Sequence, residues 1–191
     1  RPAAERALTR RTTMSGRFAR LAAGGALAGA AAMAVAALAQ AAGARINTTR
    51  SVPLGLYWVS DATAEKGAYV LGCPPRGPVF DEARARGYIG AGFCAGGYGY
   101  LIKRIAATGG DGVAVSEAGV RVNGALLPLS APRAVDAGGR ALPAFRRDAT
   151  VLGAGEVFLM ADASPNSFDA RYFGPVSRGQ ILNVVVPLLT W

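Results

Sequence analysis

The spacing of apolar and polar positions changes twice along the chain. Residues 21–44 contain no charged side chain and are mostly Ala, Gly and Leu. That run meets the roughly 20 residues a helix needs to cross the hydrocarbon core of a bilayer. Ahead of it, residues 1–20 are polar and basic, with Glu5 the only acid and no periodic apolar face, which predicts a disordered tail. Beyond it, apolar residues fall into short runs bounded by Gly, Pro and Asp, at residues 55–59, 68–71, 100–106, 156–160 and 181–186. Runs of that length, so bounded, are strands. Residues 112–115 and 119–122 bracket a hairpin, and Asn123-Gly124 is a tight-turn signal. Residues 74–99 show little periodicity and read as loop, and residues 130–147 read as a surface excursion rich in Pro, Gly, Ala and Arg. The pattern predicts three regions: a basic tail over residues 1–20, a transmembrane anchor over 21–44, and one mainly β domain over 45–191.

Charge refines this picture. The net charge of +9 could suggest a nucleic-acid partner, but six arginines precede Leu21, where the positive-inside rule places them on the cytoplasmic side. No helix-turn-helix pattern and no interleaving of basic with aromatic residues is found, which argues against nucleic acid. The basic flank and full length of residues 21–44 favour an uncleaved signal anchor with the carboxyl side outside. Two rival readings are a signal peptide cleaved in the small-residue run at residues 39–44, and a soluble alanine-rich helix. Gly25 and Gly29 form a small-xxx-small pair that could pack helices. Met14 opens a segment that looks like an ordinary start before an anchor, and is read as the natural initiation site.

Candidate chemistry begins with Ser51, a few residues past the anchor and, at about 3.3 Å per extended residue, close to the membrane surface. A serine hydroxyl needs a base, and the chain contains no histidine. A lysine kept neutral by burial can serve instead. Lys103 is the candidate: strand parity groups it with Leu101 and Ile105, and puts Arg104 on the other face with Ile102 and Ala106. Parity leaves open which charge is exposed. Cys73 and Cys94 bracket a Gly-, Pro- and Arg-rich loop; on the exported side they are expected to form a disulfide, and otherwise to be free thiols. Two cysteines without histidine make a poor zinc site, and no metal or other cofactor is implied.

The run from Asp162 to Val176, with Ser167 and then Asp-x-Arg-Tyr-Phe-Gly from Asp169, resembles the carboxyl-terminal box of the signal peptidase I family. Lys103-Arg-x-x-Ala leading to Gly110-Asp111 is similar to that family's lysine box, and Ser51-x-Pro-x-Gly-Leu-Tyr is similar to the nucleophile box of its conjugative-transfer, TraF-type members. The Cys73-Pro-Pro loop is also TraF-like, whereas the usual Gly-Asp-Asn of the last box is replaced by Ala161-Asp162-Ala163. The resemblance implies a signal-peptidase-like β domain behind one transmembrane helix, in the bacterial inner membrane and facing the periplasm. It implies Ser51 as nucleophile and Lys103 as general base, with the Ser51 N–H and the Thr49 hydroxyl as oxyanion donors. Ser167 would orient the lysine amine, and Asp169 and Arg171 would form a bracing ion pair. The implied partner is a pilin-like precursor with small residues, typically alanine, before the cut; the acyl-enzyme would be hydrolysed or captured by the substrate's own amino terminus to give a cycle.

Other readings stay open at this point. Within the enzyme class the alternative is a general leader peptidase. Self-cleaving repressor proteases share the chemistry but carry a DNA-binding domain where this chain has an apolar segment. From a different class, the chain could be a non-catalytic, membrane-tethered β module of a secretion complex.

Overall fold

The computed structural model of the chain describes residues 2–191, with side chains described from Phe18 onward. Arg1 and the earlier side chains, which include most of the expected basic tail and Met14, lie outside the described residues. The first unit is a single helix, α1 (Pro2–Ala41). The expected disordered tail is therefore helical in its backbone. Ala, Arg and Leu are strong helix formers, so propensity favours a helix here although the segment lacks an apolar face. Within α1 the segment Phe18–Ala41 is long and apolar enough to span a membrane, and none of its most apolar window is buried. Phe18, Leu21, Leu27, Met33, Val35 and Leu38 are all exposed, as suits a helix whose surroundings are lipid.

The second unit is built on strands β1 (Ala44–Asn47), β2 (Gly55–Ser60) and β3 (Tyr69–Gly72), then a short helix α2 (Pro78–Ala85) and β4 (Ala91–Cys94). There follow β5 (Leu101–Thr108), β6 (Gly112–Ser116), β7 (Gly119–Val122), β8 (Ala125–Leu126), β9 (Arg147–Val151) and β10 (Glu156–Met160). A one-turn helix α3 (Ala170–Phe173), β11 (Val176–Ser177) and the long β12 (Ile181–Thr190) complete it. Seven strands form one sheet in the order β1-β2-β12-β3-β5-β10-β11, and four form a second in the order β8-β7-β6-β9. The mainly β expectation holds.

The Asn123-Gly124 turn joins β7 to β8 with both residues at positive φ, 50° and 83°, the conformation a two-residue hairpin loop requires. Three departures from the sequence pattern have physical causes. The segment read as loop over residues 74–99 contains α2, which opens on Pro78, a favoured first helical residue, and buries only Phe80 and Ala83. β9 is almost wholly exposed and has no apolar alternation; it is a strand because β6 pairs with it. β12 runs four residues past the predicted end, through Pro187, with a register shift between Pro187 and Leu189 that accommodates the missing N–H.

Three apolar clusters hold the unit together, the smallest of them Val52, Tyr57, Leu71 and Val185. Val70, Ile105, Val157, Leu159 and Val184 of the larger sheet pack with Phe80, Phe168 and Tyr172. Val113, Val115, Val120 and Val122 of the smaller sheet pack with Ala107, Phe158 and Met160. β5 and β10 contribute to both of these larger clusters, so β5 runs through the centre of the domain. Cys73 and Cys94 are joined by a disulfide with Cα atoms 5.5 Å apart.

Candidate active site

Ser51 lies in the loop between β1 and β2, and one side chain organises that loop. Asn47, 4% exposed, donates from Nδ2 to the carbonyls of Thr49 (2.8 Å), Val52 (3.1 Å) and Pro53 (3.0 Å). Its Oδ1 accepts from the Thr49 N–H (3.1 Å) and the Thr49 hydroxyl (3.0 Å). The Tyr57 hydroxyl adds a second bond to the Pro53 carbonyl at 2.7 Å, and Val52 is fully buried beside Tyr57. The loop then enters β2 at Gly55, where a Cβ would stand 2.1 Å from the Leu189 carbonyl oxygen and φ is +156°. No other residue fits that approach.

Lys103 resolves the parity question. On β5 the buried positions are Lys103, Ile105 and Ala107, while Arg104 points to solvent. Lys103 sits opposite Val70 on β3 and is 3% exposed. Its Nζ donates to Ser51 Oγ at 2.7 Å and to Ser167 Oγ at 2.6 Å, and the two hydroxyls are 2.8 Å apart. Burial disfavours the ammonium form and pushes the Lys103 pKa down to about 8; Asp169 draws it up and Arg171 pushes it further down.

Ser167 is held from behind. Asp169 and Arg171, both 0% exposed, form a bidentate pair, Arg171 Nε to Oδ1 at 2.7 Å and Nη2 to Oδ2 at 2.8 Å. Asp169 also caps α3 through the Arg171 N–H and accepts from the Ala161 N–H at 3.0 Å. Arg171 Nη1 donates to the carbonyls of Leu129 (2.8 Å) and Pro165 (3.1 Å). Every charge of this buried pair is thus hydrogen-bonded, the condition under which such a pair is tolerated.

Of the residues singled out by sequence, Ser51, Lys103 and Ser167 meet in one triangle, while Asp169 and Arg171 pair with each other and influence Lys103 electrostatically. Thr49 does not join them: its hydroxyl proton is given to Asn47. Asp162 accepts from the Tyr69 hydroxyl at 2.7 Å and lies 3.6 Å from Arg104, while its other oxygen is buried and finds no partner among the described residues. Burial and this carboxylate together hold the Tyr69 phenol pKa up. Asn47 was not singled out by sequence, because a polar residue before a turn ordinarily bonds only within that turn. Among the described residues no group of three His, Cys, Asp or Glu side chains gathers as a metal site requires.

The arrangement is a hydroxyl, a desolvated amine and a second hydroxyl holding that amine, which is the equipment of a serine peptidase without histidine. The family model described as signal peptidase, peptidase S26, matches residues 19–190, and the chain belongs to that family, in its TraF type. It is 59% identical over 172 residues to a plasmid transfer protein TraF of Escherichia coli, covering 90% of this chain and 97% of that one. A second Escherichia coli plasmid transfer protein TraF is 55% identical over 175 residues, covering 92% and 99%. A crystal structure of a signal peptidase I from Enterococcus faecalis corresponds only loosely, with a TM-score of 0.39 and 17% identity over 66% of this chain and 100% of the other.

Proposed function

We propose that the protein is a membrane-anchored endopeptidase with a Ser51–Lys103 dyad that matures a pilin-like precursor during conjugative transfer. The observation that carries the reading is the buried Lys103 amine 2.7 Å from Ser51 Oγ in a chain without histidine. The conjugative setting is supported by the plasmid transfer proteins to which the chain is similar over most of its length. Ser51 attacks the scissile carbonyl while Lys103, neutral, takes the hydroxyl proton and later returns it to the leaving amine. Ser167 keeps the amine aimed along the Ser51 hydroxyl through its 2.6 Å bond. The Ser51 backbone N–H is one oxyanion donor. Thr49 serves as a second only if its hydroxyl turns from Asn47 to the oxyanion, leaving its N–H bond to Asn47 in place.

The apolar part of α1 anchors the protein in the inner membrane, with the arginines inside and the catalytic domain in the periplasm. The positive-inside rule supports that orientation, and the Cys73–Cys94 bridge suits an oxidising compartment. Mass spectrometry of a co-expressed pilin precursor tests the proposal. Wild-type protein should convert it, to a linear product or to a cyclic one lighter by one water, and Ser51→Ala and Lys103→Ala should each abolish conversion without loss of fold. Conversion at the wild-type rate by either variant overturns the assignment.

A further inference from the structure

A cavity of about 450 Å³ opens directly onto Ser51 and Ser167. Its far wall is the excursion over residues 133–142, which is tied to the site at several points. The Arg133 N–H donates to the Tyr172 hydroxyl, on α3, at 3.1 Å, and Arg171 holds the Leu129 carbonyl just upstream. The floor is aromatic: Phe168 stacks on Tyr172 with ring centroids 5.9 Å apart and meets Tyr88 at 5.6 Å.

Three charged side chains line this cavity, and two of them cancel. Asp136 accepts from Arg140 Nε at 2.7 Å and Nη2 at 2.6 Å, from the Tyr88 hydroxyl, and from the backbone N–H groups of Gly138 and Arg140. Arg140 also lies over the Tyr88 ring at 5.7 Å. The third, Arg133, has no carboxylate partner among the described residues. Its Nη1 donates only to Asn166 Oδ1, at 2.5 Å, a neutral amide one residue before Ser167. The lining therefore carries one uncompensated positive charge, on an exposed side chain held to Asn166 beside Ser167, above an apolar floor. Guanidinium presents a planar fork of donors that matches a carboxylate.

We propose that this cavity is the subsite for a carboxylate of the precursor close to the scissile bond, and that Arg133 is the residue that selects it. The carboxylate is either an Asp or Glu side chain or the free end of a short terminal segment. The inference rests on the reading of Ser51 as nucleophile.

The full-length protein in detergent micelles is given synthetic peptides with Ala before the cut. In one series a Glu, a Gln or a Lys is moved along the positions flanking the cut; in the other the terminal carboxylate is free or amidated. Wild-type protein is expected to prefer the acid over its amide by about tenfold in kcat/KM at one position or at the terminus, the size of a charge-assisted hydrogen bond at a partly exposed site. Which series shows the preference identifies the source of the carboxylate. In Arg133→Ala the acid-to-amide ratio should fall to about one, and in Arg133→Glu the Lys peptide should overtake the Glu peptide. An unchanged thermal melting point shows that each variant is folded. Equal rates for acids and amides in wild type, or a preference that survives Arg133→Glu, overturns the proposal. Absence of both peptide cleavage and labelling of Ser51 by a serine-reactive phosphonate in wild type overturns the nucleophile reading, and this one with it.

Discussion

In the proposed mechanism Lys103 links catalysis to stability through one number. An ordinary lysine, with a pKa of 10.5, is neutral in about one molecule in 3,000 at pH 7; at about 8 the neutral fraction is about one in ten. Burial of the amine therefore raises the supply of free base about 300-fold at neutral pH. The value of kcat/KM for peptide cleavage should climb about tenfold per pH unit below pH 8 and level off above it. A stopped assay on one peptide from pH 5.5 to 10, with a control for loss of structure at each end, measures this. A flat profile, or one still climbing steeply at pH 10, would sink the argument that burial sets the base.

The same shift has an opposite sign for folding. The unfolded chain holds a proton on Lys103 between pH 8 and 10.5 that the folded chain has released, so stability rises across that window and the cost is fully present below it. The drop corresponds to about 3 kcal/mol. Lys103→Met removes the buried charge and leaves Ser51 and Ser167, already 2.8 Å apart, to bond to each other. We predict that this inactive variant is more stable than wild type at pH 7, by up to about 3 kcal/mol, with the gain vanishing by about pH 10.5. Urea unfolding at pH 7 and pH 10 measures it; a variant less stable at both, by the same amount, would refute the linkage.

Two further outcomes follow from the groups around the dyad. Arg171→Met leaves Asp169 charged, buried and short of its main partner, and should cost about 3–5 kcal/mol in urea unfolding; adding Asp169→Asn should recover part of that loss, whereas equal stability of single and double variants would show that the carboxylate is not what suffers. Asn47→Ala removes one donor from each of three carbonyls of the nucleophile loop, leaving only that of Pro53 bonded, by Tyr57, and should lower kcat by up to about 100-fold through misplacement of Ser51, while Asn47→Asp, which turns a carboxylate towards those same oxygens, should be worse; a better-than-alanine aspartate would contradict the donor role.

How much of this was legible in the sequence depended on whether a contact was local. Ser51 and Lys103 could be proposed from residue type in a chain without histidine, and the Ser167–Arg171 run from its resemblance to a signal peptidase box, although 116 residues separate the two hydroxyls that finally touch. What parity could not say was which of Lys103 and Arg104 is buried. That depends on β3 and β10 flanking β5, and on Arg104 finding Asp162 and the Gly67 carbonyl outside. Asn47 was invisible for a related reason: its bonds to Thr49 look like an ordinary turn, and only the added bonds to Val52 and Pro53 make it the clamp of the loop.

The excursion over residues 130–147 shows where composition misleads. Rich in Gly, Pro and Arg, it reads as solvent-facing chain, and most of its residues are indeed exposed. Its position is nonetheless set from beneath by the buried Arg171, whose guanidinium reaches Asp169, Leu129 and Pro165 together. One fully buried pair therefore fixes both Ser167, through the turn at Pro165, and the start of the wall that carries Arg133. Geometry of attack and choice of substrate would then share a single support, so a substitution in that pair should slow acid and amide peptides alike as well as shift the preference between them, whereas Arg133→Ala should slow chiefly the acid-bearing peptide.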